Sequence, residues 1–199
     1  IESVSSDYQR WNLASFMGRV NYNYKDRYLL TVSARYDGSS RLAPGHKWVL
    51  FPSAALAWRV KEESFLKDVD CLSNLKLRLG WGITGNTAID PYKTQGNLEY
   101  GRYSYGSNGV LAFYQKEMPN PNLSWEKTEQ WNAGIDFGFL NGRIGGSVDL
   151  YLQNTNDLLM DRQLPIVSGF GNVTTNIGQI RNKGLEVTLN TVNIDTKDF

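Results

Sequence analysis

The chain has 199 residues, enough for one domain with a sizeable core. Its 21 lysines and arginines nearly balance 20 aspartates and glutamates, so charge gives no case for a nucleic-acid partner. No run of about 18 apolar residues occurs, which excludes a transmembrane helix but not a membrane β-barrel, whose strands need only alternate apolar positions. Aromatic residues make up 13% and there are 19 glycines, a composition that favours an all-β chain. Cys71 is the single cysteine, so no internal disulfide can form.

Alternation of apolar and polar residues predicts about seven strands of roughly ten residues, the length that a tilted barrel strand needs to cross a bilayer. In the first strand, Phe16, Val20 and Tyr22 alternate with polar positions. The same pattern recurs along the chain. The predicted strands cover residues 15–24, 28–37, 52–59, 75–84, 130–139, 144–153 and 185–190.

Short and long connections alternate between these strands. Residues 25–27, 140–143 and 195–198 form short connections, and 61–72 forms a moderate one with room for a helical turn. Residues 38–47, 85–128 and 154–182 form long connections. Outer-membrane barrels have short periplasmic turns and long external loops, so the alternation favours that class.

Aromatic residues are placed where two membrane interfaces would lie. Those near the short connections are Tyr22, Tyr24, Tyr28, Trp58, Phe137 and Phe139. Those near the long connections are Tyr36, Phe51, Trp81 and Trp131. Two such girdles are typical of outer-membrane barrels, although a soluble β-sandwich also alternates and stays an alternative. About seven strands cannot close a barrel in lipid, so the prediction requires further strands.

Several phrases, in this order and spacing, resemble SusC/RagA-type TonB-dependent outer-membrane transporters. The resemblance covers nearly the whole chain. The phrases are YLLTVSARYDGSSR at 28–41, KW at 47–48, FPS at 51–53, AWR at 57–59, NLKLR at 74–78, GITGN at 82–86, NPNLSWE at 120–126, NIG at 176–178 and NKGLE at 182–186.

The resemblance implies that residues 1–199 are part of a 22-stranded antiparallel transmembrane β-barrel, with the plug domain and the remaining strands outside this sequence. It implies a barrel surrounded by outer-membrane lipid, a SusD-like surface lipoprotein as partner, and a TonB complex that contacts the missing N-terminal part. The implied activity is active import of a glycan, with a peptide as second choice, and no enzymatic step or cofactor. A passive or structural barrel stays an alternative.

Two groups of residues are candidates for function. Charged side chains expected to face the lumen could dock the plug or contact substrate: Arg19, Arg35, Arg59, Lys76, Arg78, Asp136 and Asp149. Aromatic residues in the two longest loops could contact substrate or the lipoprotein, or simply fold the loops: Tyr92, Tyr100, Tyr103, Tyr105, Phe113, Tyr114, Trp125 and Phe170. The pattern shows neither a metal cluster nor a Ser-His-Asp arrangement around His46, the only histidine.

Overall fold

A computed structural model describes residues 8–194. Within this range the chain is built almost entirely of β-strands, with two short 3-10 turns at Val60–Glu62 and Ile166–Ser168. The strands are β1 Leu13–Tyr24, β2 Tyr28–Ser39, β3 Trp48–Arg59, β4 Leu72–Asn86, β5 Leu98–Tyr105, β6 Asn108–Gln115, β7 Glu126–Phe139, β8 Ile144–Asn156, β9 Leu159–Gln163, β10 Asn172–Asn176 and β11 Gln179–Thr191.

Seven of these strands form one sheet in the order β1-β2-β3-β4-β7-β8-β11, and every neighbouring pair is antiparallel. This arrangement confirms the seven predicted strands, although each is 12–15 residues long rather than about ten. The extra residues lie mostly at the loop ends, and in β7, β8 and β11 they are mainly polar residues that interrupt the apolar alternation. The hairpins β5–β6 and β9–β10 inside the two longest loops were not predicted.

The short connections are tight turns at one end of the sheet. Lys25 and Asp26 both have positive φ, at 52° and 51°, as a two-residue hairpin turn requires. Leu140 and Asn141 adopt the same region before Gly142. The helical turn predicted within the 61–72 connection is a 3-10 turn at Val60–Glu62, where that connection begins. The predicted turn at 195–198 lies outside the described residues.

The register places apolar residues on one face of the sheet and polar residues on the other. Val20 lies opposite Val32, and Leu30 lies opposite Leu56. This apolar face is open, and Leu79 near its centre is 57% exposed. A soluble sandwich would cover such a face with a second sheet. Within residues 8–194, no helix is long and apolar enough to cross a membrane.

Aromatic rings cluster at the two ends of the apolar face. At the loop end Trp48 stacks on Tyr36 with ring centroids 5.0 Å apart, and Trp81 lies 5.9 Å from Trp131. At the turn end Tyr28 stacks on Trp58 at 6.1 Å. Trp48 and Trp58 are ten residues apart on β3. That separation is about 33 Å along a strand, or about 25 Å at a tilt near 40°, which matches the apolar band of a membrane barrel.

One predicted girdle residue is on the wrong face. Phe51 lies at an odd position of β3, opposite Arg35, so its ring points to the polar face. The side chain is buried there among loop residues. Its assignment to the loop-end girdle was wrong because that assignment used only its distance from the loop and not its place in the alternation.

Candidate functional site

Three of the predicted charged residues meet on the polar face. Arg78 on β4 reaches across β7 and holds both Asp136 and Asp149. Its Nη2 atom lies 2.8 Å from Asp136 Oδ1 and 2.7 Å from Asp149 Oδ1, while its Nε donates to Asp136 at 3.0 Å. The arginine therefore joins three adjacent strands through charge-assisted hydrogen bonds. We call Arg78, Asp136 and Asp149 the charge triad.

A glycine makes room for this triad. Gly134 on β7 is buried directly opposite both Arg78 and Asp149 in the register. A Cβ atom at this position would come within 2.8 Å of Arg78 Nη2 and even closer to Asp149 Oδ1. A larger residue would displace the Arg78 guanidinium from its position against the sheet, so the triad requires glycine at position 134.

The other four charged residues that were predicted to face the lumen have different surroundings. Arg35 Nε lies 2.8 Å from Asp37 Oδ2, and Asp37 is buried. Arg59 lies at the turn end, 3.5 Å from Glu62. Arg19 and Lys76 have no hydrogen-bonding or ionic partner among the described residues. The structure thus joins Arg78, Asp136 and Asp149 by hydrogen bonds, while Lys76 lies opposite Asp136 in the register without an ion pair to it.

An uncharged polar patch lies beside the triad on β7, β8 and β11. Its centre is Tyr151, whose phenol lies over Gly184, because a Cβ there would be 2.6 Å from the phenol oxygen. Asn132 lies opposite Tyr151 on one side, and Gln153 is paired with Asn182 on the other. Sequence reasoning missed this patch. We call Tyr151, Asn132, Gln153 and Asn182 the amide patch.

The buried core of the described chain lies among the loops rather than between sheets. Trp125 is 4% exposed and meets Phe51 edge to face, with ring centroids 5.3 Å apart. Its indole N–H donates to the carbonyl of Lys47 at 2.9 Å. Leu42 and Leu123 complete this cluster and are almost fully buried. We call Leu42, Phe51, Leu123 and Trp125 the loop core.

Asparagine side chains then tie the second and third long loops together. Asn176 accepts a hydrogen bond from the Ser124 amide at 2.8 Å and donates to the Ser124 carbonyl at 2.9 Å. Asn120 donates to the carbonyl of Thr174 at 2.9 Å. These residues come from the NPNLSWE and NIG phrases. Those phrases therefore hold the bases of the loops together, which the phrases alone could not reveal.

The β5–β6 hairpin carries most of the predicted loop aromatics. One of its faces presents Leu98, Tyr100, Leu111 and Phe113, and the other presents Tyr103, Tyr105 and Tyr114. Tyr100 is 72% exposed and Phe113 is 66% exposed. Lys116 and then Tyr114 donate hydrogen bonds to Glu99, which lowers the pKa of that carboxyl below its ordinary value of 4.5.

The remaining predicted loop residues are placed elsewhere. Tyr92 is at the base of the loop, where its hydroxyl donates to the Arg10 carbonyl at 3.4 Å. Phe170 is half-buried beside the tip of the β9–β10 hairpin. That tip exposes Ile166 and Val167 almost completely, at 93% and 96%. Trp125 lies in the loop core, so its burial favours the folding role over ligand contact.

A sheet with an open apolar face, aromatic girdles at both ends and a charged opposite face defines one wall of a membrane β-barrel. Comparison with known sequences agrees with this class. The family model described as TonB dependent receptor-like, beta-barrel, matches residues 2–195, and the chain belongs to that family.

The curated relatives are much longer than this chain. TonB-dependent receptor SusC of Bacteroides thetaiotaomicron is 48% identical over 200 residues, which cover 96% of this chain and 19% of the relative. TonB-dependent receptor P26 of Formosa agariphila is 40% identical over 196 residues, or 98% of this chain and 20% of the relative. The chain therefore spans about a fifth of the length of these relatives.

Solved structures show the same fold. A structure described as the RagAB peptide transporter has 31% identity and a TM-score of 0.83, covering 94% of this chain and 20% of the other. The siderophore receptor PirA of Pseudomonas aeruginosa matches at 16% identity with a TM-score of 0.60, covering 90% of this chain and 31% of the other, a likeness of fold alone. TonB-dependent receptors are an outer-membrane family, so the apolar face corresponds to the lipid side and the polar face to the lumen.

The described residues hold no group of three or more His, Cys, Asp or Glu side chains placed to bind a metal ion. The carboxylates of the triad are instead occupied by Arg78.

Proposed function

We propose that the whole protein is an active importer of the bacterial outer membrane that works with a SusD-like surface lipoprotein and the TonB complex. The observation that carries this proposal is the combination of a lipid-type outer face with a charged inner wall and an elaborate loop end. Membership of the TonB-dependent receptor family supports it. The transported molecule undergoes no covalent change, since import needs only binding and passage.

The amide patch supports a glycan as substrate. The phenol ring of Tyr151 lies against the wall over Gly184, so one ring face is available to the lumen. Gln153 and Asn182 make no side-chain hydrogen bond to any described residue. Amides can donate to and accept from sugar hydroxyls, and a flat aromatic face suits the apolar side of a sugar ring. A peptide is the second candidate, because the RagAB structure at 31% identity is described as a peptide transporter.

The β5–β6 hairpin supports a protein partner at the external face. An isolated two-stranded hairpin is marginal in water, and this one leaves Leu98, Tyr100, Leu111 and Phe113 exposed on a single face, which Arg102 shares opposite Leu111. A group of exposed large apolar side chains of this kind marks a contact site. We assign this face to the lipoprotein. On the opposite face, Tyr114 and Lys116 donate hydrogen bonds to Glu99.

The wall charges would then face the plug. Arg19 and Lys76 have no ionic partner among the described residues, so they are the wall cations best placed to pair with plug carboxylates. Arg35 and Arg59 already face Asp37 and Glu62. The charge triad is internally satisfied and would serve to stiffen the wall.

The test uses the intact parent protein, tagged at a terminus and purified from outer membranes in a mild detergent. Mass spectrometry would identify the proteins and small molecules that it retains. We expect a lipoprotein near equal stoichiometry and a retained oligosaccharide. A retained peptide would instead select the second substrate class. A lone barrel without partner or ligand would favour a passive barrel and contradict the importer.

Two matched variants sharpen the partner assignment. Phe113→Asp places a charge on the apolar face of the hairpin and should abolish retention of the lipoprotein. Tyr103→Asp places the same charge on the opposite face and should leave retention nearly unchanged. Loss in the second variant alone would reverse the assignment of the two faces.

A further inference from the structure

Charged residues on the apolar face are confined to one corner. Across all the strands of the main sheet within residues 8–194, the lipid-side positions carry charge only at the loop ends of β7 and β11. These charged residues are Lys127, Glu129, Arg181 and Lys183. Elsewhere this face is aliphatic, aromatic, glycine or small polar.

Residues that lie opposite one another on neighbouring strands form a row across the sheet, and the charged residues occupy adjacent rows. Arg181 lies opposite Asn154, which lies opposite Glu129. Lys183 lies one row lower, opposite Leu152, which lies opposite Trp131. Residues two positions apart on a strand share a face and are about 7 Å apart, so Arg181 and Lys183 are neighbours on the surface of β11.

Arg181 and Lys183 lie on the loop side of the apolar stretch of β11, and Trp131, two strands away, belongs to the loop-end girdle that marks the membrane interface. Below Lys183, the lipid side of β11 continues with Leu185, Val187 and Leu189. A cation is costly at the midplane of the bilayer but is tolerated at the interface, where its long side chain can reach the headgroup layer.

The side-chain geometry leaves the cations available to an anion. Asn154 Oδ1 accepts a hydrogen bond from Arg181 Nε at 2.7 Å, which orients the guanidinium and leaves its two terminal nitrogens without a partner among the described residues. The carboxylate on this face, Glu129, lies two strands away from Arg181 and forms no ion pair with it. Glu129 Oε1 accepts the indole N–H groups of Trp81 and Trp131 at 2.9 and 3.0 Å.

We propose that Arg181 and Lys183, oriented by Asn154, bind the phosphate of a lipid in the outer leaflet of the membrane. The arginine fork can make two parallel hydrogen bonds to a phosphate, and the lysine adds a second positive charge. Lys127, two strands away and nearer the loops, extends the positive surface. The ligand is a phosphorylated lipid, because the site faces the bilayer beside a tryptophan girdle and not the lumen.

The experiment uses the intact protein after its bound lipids have been removed with detergent. The protein is then reconstituted with a phosphorylated lipid A and, separately, with the same lipid A after removal of its phosphates. Native mass spectrometry would count the lipid A molecules retained. The wild-type protein should retain the phosphorylated form preferentially. Equal retention of both forms would overturn the proposal, since it would show that the acyl chains alone are bound.

Arg181→Gln and Lys183→Gln test the assigned residues. Each should reduce retention of the phosphorylated lipid about fivefold, and the double variant about 25-fold, from the usual contribution of one basic residue at an anionic membrane surface. Arg19→Gln, which removes the same charge from the lumen side, is the matched control and should retain the lipid like wild type. Heat-modifiable gel mobility would establish that each variant is a folded barrel. A folded double variant that retains lipid like wild type would refute the site without affecting the proposed import.

Discussion

Removing Trp125 should loosen the external loops without unfolding the barrel wall. The indole is buried in the loop core, where it contacts Phe51. Its N–H donates a hydrogen bond to the carbonyl of Lys47, so Trp125 connects the second long loop to the first. Replacing a buried tryptophan by alanine costs about 3–5 kcal/mol. The wall strands hold their own ladders of hydrogen bonds, so this loss falls on the loops.

The magnitude can be measured as loop opening. If opening is fast relative to cleavage, a cost of about 3–5 kcal/mol raises the rate of proteolysis by about two to four orders of magnitude. The assay is limited proteolysis of the intact protein in liposomes, with cleavage sites mapped by mass spectrometry. Trp125→Ala should produce new cuts in residues 87–125 and 40–47.

Trp125→Phe separates packing from hydrogen bonding. It keeps most of the buried ring but loses the bond to Lys47, a loss of about 1 kcal/mol, so cleavage should rise by only about fivefold. Trp131→Ala removes a tryptophan of similar size from the exposed apolar face and should leave the loops as resistant as wild type. The reasoning is refuted if Trp125→Ala is cleaved no faster than Trp125→Phe.

Three further predictions concern the wall and its turn end. Leu77→Arg, which places a charge on the lipid face between Trp58 and Ile135, should cost about 2–4 kcal/mol and block assembly. Lys76→Ala, on the lumen face, should assemble normally, and equal defects would show that the faces are misassigned. Gly134→Val should displace Arg78 from Asp149 and weaken the folded barrel in urea by about 1 kcal/mol; unchanged stability would mean that the triad contributes nothing. Hydrogen bonds from Tyr28 and then Trp58 lower the pKa of Glu63 below its ordinary 4.5. The ionised carboxylate therefore stabilises the turn fully above that pH, and the stabilisation is lost as the pH falls through the lowered value. Glu63→Gln should abolish this acid dependence in hydrogen exchange of residues 60–71, and a persistent dependence would assign it to another group.

The main features of the wall could be predicted from the sequence. Alternation with a period of two residues is a local property, so it shows in the sequence which side chains share a face. Arg78, Asp136 and Asp149 were accordingly predicted to face the lumen, and the register agrees. Where position along the strand was used instead of the alternation, as for Phe51, the prediction was wrong.

The hairpins within the loops were beyond that reasoning. In β5–β6, aromatic residues occupy both faces, with Tyr100 on one and Tyr103 on the other. A strand that is apolar on both sides has no period of two, so the segment was predicted only as a loop. The density of tyrosines was the one signal of structure that this segment carried.

Alternation predicted the seven strands of the sheet and the face to which most residues belong, and the quoted phrases predicted the family. Which polar residues meet could be seen only in the fold. In the charge triad, Arg78 contacts Asp136 and Asp149, which lie 58 and 71 positions further along the chain. In the loop core, Trp125 donates a hydrogen bond to the distant carbonyl of Lys47. The face to which a side chain points depends on its position along its own strand. Contacts between side chains on different strands depend on strand order and register, which are established by hydrogen bonds between distant segments of the chain.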